Sequence, residues 1–78
     1  MSKKANNHDK ILGSLLKKQR KALGLSQTEA GSLIGVTGQQ LGKCERGVNR
    51  LTFIDGLVLL GRYRLKLSSV VKELKLEV

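Results

Sequence analysis

The chain has 78 residues, enough for one small domain that buries only about 60% of its unfolded surface. Fifteen Lys and Arg against six Asp and Glu leave a formal charge of +9, which attracts polyanions through counterion release. One cysteine excludes an internal disulfide, no Cys/His cluster offers a zinc site, and no apolar run approaches the roughly 18 residues of a membrane span.

Residues 1–8, MSKKANNH, have no apolar periodicity and read as a basic arm. No apolar stretch follows their charges, so a signal peptide is not expected in them. Asp9 or a neighbour is expected to cap a first helix, in which Leu12, Leu16 and Leu23 recur near helical spacing with Leu15 alongside. Lys10, Lys17, Lys18 and Lys21 occupy the rest of that cylinder, and Gly24 stands where a C-terminal glycine belongs. Ser26 with Glu29 has the spacing of a capping box and opens a second, short helix that Gly35 ends. Thr37 with Gln40 repeats that spacing and opens a third, closed by Gly47. Thr52 caps a fourth helix running to about Tyr63, with Leu57, Leu59 and Leu60 expected inside. Ser68 is expected to cap a fifth, with Val70, Val71 and Leu74 inside. The tail from Leu74 to Val78 alternates with period two, as a short strand or a frayed helix end would. The division that results is an arm at 1–8, one domain at 9–75 and a tail at 76–78.

Two capped helices joined by a tight turn at one glycine form a helix-turn-helix signature. Such a unit holds its helices at a steep crossing and leaves one face of the second free. Ala30 and Ile34 lie i, i+4 on its first helix, Leu41 and Cys44 i, i+3 on its second, and Val36 plugs the turn. Gly31 falls where the helices approach, and Gly35 supplies a positive φ to the turn. Seven positions thus agree with one geometry.

The stretch GLSQTEAGSLIGVTGQQLGKCERG resembles the Cro/phage-repressor type of helix-turn-helix regulators, an XRE-like family. GVNRLT, which follows it, is similar to a subgroup in which a Gln-Gln pair and an Asn-Arg pair flank the recognition helix. The resemblance covers about residues 9–74. It implies an all-α, five-helix, lambda-repressor-like fold and operator binding as a homodimer. Departures from the family pattern are Ala30 for a leucine, Gly42 for a serine, Gly56 for a leucine, and Arg64 for the glycine that normally ends the fourth helix.

The resemblance also implies roles for single residues. Gln27 would direct its side chain and amide at a DNA phosphate, and Arg20 and Glu45 would form a structural ion pair between the first and third helices. Gln39, Gln40 and Lys43, near the start of the recognition helix, are the candidates for reading bases, since glutamine pairs with adenine and lysine donates to guanine. Gly38 and Gly42 offer no side chain where relatives often read bases. Thr37, Arg46, Arg50 and Lys18 join Gln27 as candidate phosphate contacts, and arms such as Ser2-Lys3-Lys4 reach DNA in some members of the family.

Phe53 and Tyr63, the chain's two aromatic residues, are too few for a single-strand reader that stacks bases. His8 has no partner acid or nucleophile, and no triad, paired carboxylates or phosphate loop appears, so no enzyme, cofactor or metal is expected. Cys44 reads as a small core residue. The expected function is a sequence-specific regulator of transcription, most simply a cytoplasmic, nucleoid-associated repressor on an inverted-repeat operator. Val70, Leu74, Leu76 and Val78 are expected in its dimer contact. A phage repressor, an antitoxin and a restriction-modification controller fit equally. The rival from another class is a protein-interaction module, binding a toxin or co-regulator through the same fold.

Overall fold

A computed structural model of the chain describes residues 7–75. Five helices follow in order: α1 (Asn7–Ala22), α2 (Gln27–Ser32), α3 (Gly38–Glu45), α4 (Phe53–Arg62) and α5 (Leu67–Leu74). There is no strand among the described residues, and none of their helices is long and apolar enough to cross a membrane. Asn7 and His8 are already helical, while the rest of the basic arm, Ser2, Lys3 and Lys4 included, lies outside the described residues. Leu74 ends α5 and Lys75 closes it in the left-handed region; the remainder of the alternating tail lies outside as well.

Both expected capping boxes form. Ser26 Oγ accepts from the Glu29 amide at 3.0 Å, and Thr37 Oγ1 from the Gln40 amide at 3.0 Å. The reciprocal bonds run from the Ser26 amide to Glu29 Oε1 and from the Thr37 amide to Gln40 Oε1, each 2.8 Å. Thr52 caps α4 by accepting from the Asp55 amide. Ser68 does not cap α5. The helix begins at Leu67 with Lys66 in the cap position and no side-chain bond, because only Tyr63 to Lys66 separate it from α4 and the turn is spent by Leu65. In that turn the Leu65 amide returns to the Leu60 carbonyl at 2.9 Å, the bond of a Schellman motif.

The core is small: Leu16, Ala30, Leu41, Leu59, Leu60, Tyr63 and Val70. Ile34 and Val36 are half-buried against it, and Cys44, also half-buried, lines a groove with them. Three apolar positions depart from expectation. Leu23, beyond the last turn of α1, is 44% exposed, and Leu57 is 40% exposed on the outer side of α4. Val71 is only half-buried. Tyr63, just past the end of α4, belongs to the core, fully buried and with its hydroxyl lacking a hydrogen-bond partner among the described residues.

Two glycines set the approach of helices. A Cβ on Gly31 would lie 2.7 Å from the Val36 carbonyl oxygen, so even alanine is too large between α2 and the turn. Gly13 does the same for α1 and α3: its Cβ would meet the Cys44 carbonyl oxygen at 2.5 Å and that of Glu45 closer still. α1 therefore lies directly against the C-terminal end of α3.

Candidate nucleic-acid interface

α3 is fixed at both ends and open along one side. At its start the capping box holds Thr37 and Gln40, and Gly38 lets the backbone close on α2, since a Cβ there would lie 2.8 Å from Thr28 Oγ1. At its end Glu45 is held by three donors. Arg20 Nε donates to Oε2 at 2.7 Å, Arg20 Nη2 to Oε1 at 3.2 Å, and Gln27 Nε2 to Oε1 at 3.1 Å. Arg20 Nη1 donates to the Leu25 carbonyl at 2.8 Å. The two charged side chains are 7% and 1% exposed, so water offers little competition for these bonds. The hydrogen bond to Glu45 raises the Arg20 pKa further, although burial opposes it.

On the open side, Gln39 and Lys43 are exposed and four residues apart, hence on one face. Gln40 is exposed too, but its Oε1 is committed to the cap and only its amide nitrogen is free to read anything. Gly42 is not a vacant base-reading position. It is buried, and a Cβ there would lie 3.0 Å from Gln27 Nε2 and 3.4 Å from an Arg46 guanidinium nitrogen. The notch lets Gln27 reach Glu45 and lets Arg46 fold back along the helix. Gly38 is half-buried and faces Thr28 for the same reason.

The candidate phosphate contacts are spread around this face. Gln27 is half-buried with one amide hydrogen given to Glu45, and Arg46 is exposed at the end of α3. Thr37 is exposed, its hydroxyl oxygen accepting in the cap. Arg50 is 51% exposed but donates through Nε to Asp9 at 3.0 Å, tying the α3–α4 loop to the start of α1. Lys18 lines a groove between α1 and α5 with Glu73, away from α3. Lys17 and Lys21 were not singled out from sequence. They fall one and two turns beyond Gly13 on the side of α1 nearest α3, and both are exposed. Reading Gly13 as a contact point would have selected them over Lys18.

Other groups carry less chemistry. Burial pushes the Cys44 thiol up, aided by the charges of Asp55 and Glu45, so it stays protonated near neutrality. Hydrogen bonds from Ser26 hold the Glu29 carboxyl below its ordinary range. Among the described residues no group of His, Cys, Asp and Glu gathers that could hold a metal ion. Phe53, 77% exposed, stands beside an apolar groove of about 400 Å³ lined by Leu12, Leu51, Leu57, Leu60 and Leu67.

A family model described as a helix-turn-helix domain matches residues 11–67. The chain is 43% identical over 49 residues to uncharacterized HTH-type transcriptional regulators of Sinorhizobium medicae and Rhizobium meliloti, covering 63% of this chain and 35% of each relative. A third such regulator, from Sinorhizobium fredii, is also 43% identical over 49 residues, covering 63% and 34%. The chain thus spans about a third of the length of the curated relatives it matches. No solved structure matches.

Proposed function

The chain belongs to the helix-turn-helix domain family, and we propose that it is a sequence-specific double-stranded DNA-binding regulator of transcription, most simply a repressor. The observation that carries this reading is the outer face of α3. Gln39 and Lys43 are exposed together there, on a helix whose two ends are locked by a capping box and a buried ion pair. Preset geometry matters, because a base-reading side chain must meet the groove edge without a search. Arg46 and Lys17, with one amide hydrogen of Gln27, are the cations and donors best placed to grip flanking phosphates.

The regulator acts as a homodimer on an inverted repeat in this reading. The exposed Phe53, Leu57 and Leu67 around the apolar groove support self-association. Val70, 4% exposed, and the half-buried Leu74 line the floor of the same groove. The same groove is the observation that favours the second reading, docking of a protein partner.

Fluorescence titration of Gln39→Ala and Lys43→Ala tests the proposal, against a duplex selected by the protein from a random pool, its single-base variants and random DNA. Each variant is expected to lose about 1–3 kcal/mol of discrimination at the base pair it reads. Discrimination untouched in both would remove α3 from base reading.

A further inference from the structure

The link between α4 and α5 breaks two local rules within three residues. Three other helix ends turn the chain through a left-handed glycine, Gly24, Gly35 and Gly47, at φ 73–75°. The corresponding position after α4 is Arg64, at φ 58°, where a side chain is strained. The next helix then begins from Lys66, a residue with no capping oxygen and a charge placed against the positive end of the helix dipole. Both irregular positions are cations, and Arg62 completes three in five residues. All three side chains are exposed, and none makes an ion pair among the described residues. The fold gains nothing visible from them.

Their position separates them from α3. Gln19 Nε2 donates to the Tyr63 carbonyl at 2.9 Å, so the turn meets α1 on the Gln19 side. Gln19 is two residues from both Lys17 and Lys21, which puts it on the opposite side of the helix. The Tyr63 ring runs from the turn into the core, toward Arg20 and Glu45, whose charges act on its hydroxyl. The turn's backbone therefore lies across the core from the outer face of α3.

From this placement we infer that Arg62, Arg64 and Lys66 form a second DNA-binding surface, which grips the phosphates of another duplex while α3 holds the first. This rests on the DNA-binding reading of α3. Three donors with no acceptor among them match phosphate oxygens, which only accept, and need no base sequence. The turn is tied to α1 on the side opposite Lys17 and Lys21, so a duplex held by α3 and that flank of α1 leaves the three cations for another. The protein thereby bridges DNA segments.

A bridging assay tests it. A selected duplex is immobilised on beads, the protein is added, and capture of a fluorescent duplex of random sequence is measured. Wild type captures the second duplex. The variant Arg62→Gln/Arg64→Gly/Lys66→Ser should capture it at least about tenfold less well, with affinity for the selected duplex changed by less than about threefold. Two of those substitutions restore the preferred turn and cap residues, so the variant should melt higher and misfolding cannot explain the loss. The charge-conserving variant Arg62→Lys/Arg64→Lys/Lys66→Arg should still bridge. Equal capture by the charge-removing variant, or parallel loss of both duplexes, overturns the inference. So does wild type that binds the selected duplex alone, or that retains polyglutamate in place of the second duplex, which points to an acidic protein partner. Failure to bind any duplex would instead sink the DNA-binding reading itself.

Discussion

Arg20 and Glu45 are joined by two hydrogen bonds, from Nε at 2.7 Å and from Nη2 at 3.2 Å, across 25 residues of sequence and almost out of contact with water. Gln27 adds a third donor to the same carboxylate, so the first turn of α2, the end of α3 and the body of α1 meet at one group. The pair sets the attitude of α3 against the core.

Arg20→Ala leaves the Glu45 carboxylate buried with only the Gln27 amide beside it. Removing one partner of such a pair costs about 3–5 kcal/mol, against about 0–1 for an exposed one. Urea denaturation of wild type and variant measures the difference. An unchanged midpoint would mean that water or another side chain takes over the carboxylate, and that the pair does not align α3.

Gly13→Ala and Gly56→Ala should move stability in opposite directions, although both glycines lie inside helices. A Cβ at Gly13 runs into the carbonyls that end α3, and forcing atoms into a packed contact costs about 1–3 kcal/mol. Around Gly56 there is nothing within 4 Å, so alanine there recovers about 0.5–1 kcal/mol of helix propensity. Thermal melts of the two variants check the pair of signs. Destabilisation by Gly56→Ala would show that the open side of α4 is covered in the folded protein.

The contrast between these two glycines marks what was legible in the sequence. The α2–α3 unit was, because its signals are local: each cap and its acceptor lie three residues apart, and Gly35 needs only its own backbone geometry. The flank of α1 that meets α3 was not. Leu12, Leu15, Leu16 and Leu23 fall within about 100° of one another around the helix, so apolar periodicity fixes the buried face of α1 but not which flank of it, the Lys17 side or the Lys18 side, meets α3. The sequence therefore offers no ground for preferring either of the neighbours Lys17 and Lys18 as a phosphate contact. Nothing local in the sequence marks Tyr63, at the end of α4, as core, because its burial depends on elements distant in the chain, as its carbonyl's bond from Gln19 of α1 illustrates.

Self-association, if it runs through the apolar face, depends on Phe53. A ring so exposed beside an apolar groove has little to lose in the isolated chain, and Phe53→Glu should leave the melting temperature nearly unchanged. In a dimer the same change would put two carboxylates into an apolar contact and raise the dissociation constant by at least about tenfold. Sedimentation equilibrium over a range of protein concentrations reads this directly. A mass that is concentration-dependent and identical in both proteins places the interface elsewhere.

Lys17 and Lys18 are neighbours in sequence, and they should differ in their effect on DNA affinity. Gly13 holds α1 against the end of α3, and Lys17 lies one turn further along that same side, within reach of a duplex seated on Gln39 and Lys43. Lys18 is turned toward α5 and shares its groove with Glu73. Binding that neutralises phosphates weakens with salt, by a slope of about −0.9 in log K against log salt for each phosphate engaged. Lys17→Ala should therefore shallow the slope by about 0.9 for each binding site, and weaken selected and random duplexes to the same degree. Lys18→Ala should leave the slope as it is. Titrations from low to physiological salt, with both variants at matched concentration, separate the two. If Lys18→Ala shallows the slope and Lys17→Ala does not, the duplex approaches from the α5 side, and the outer face of α3 is not where this protein meets DNA.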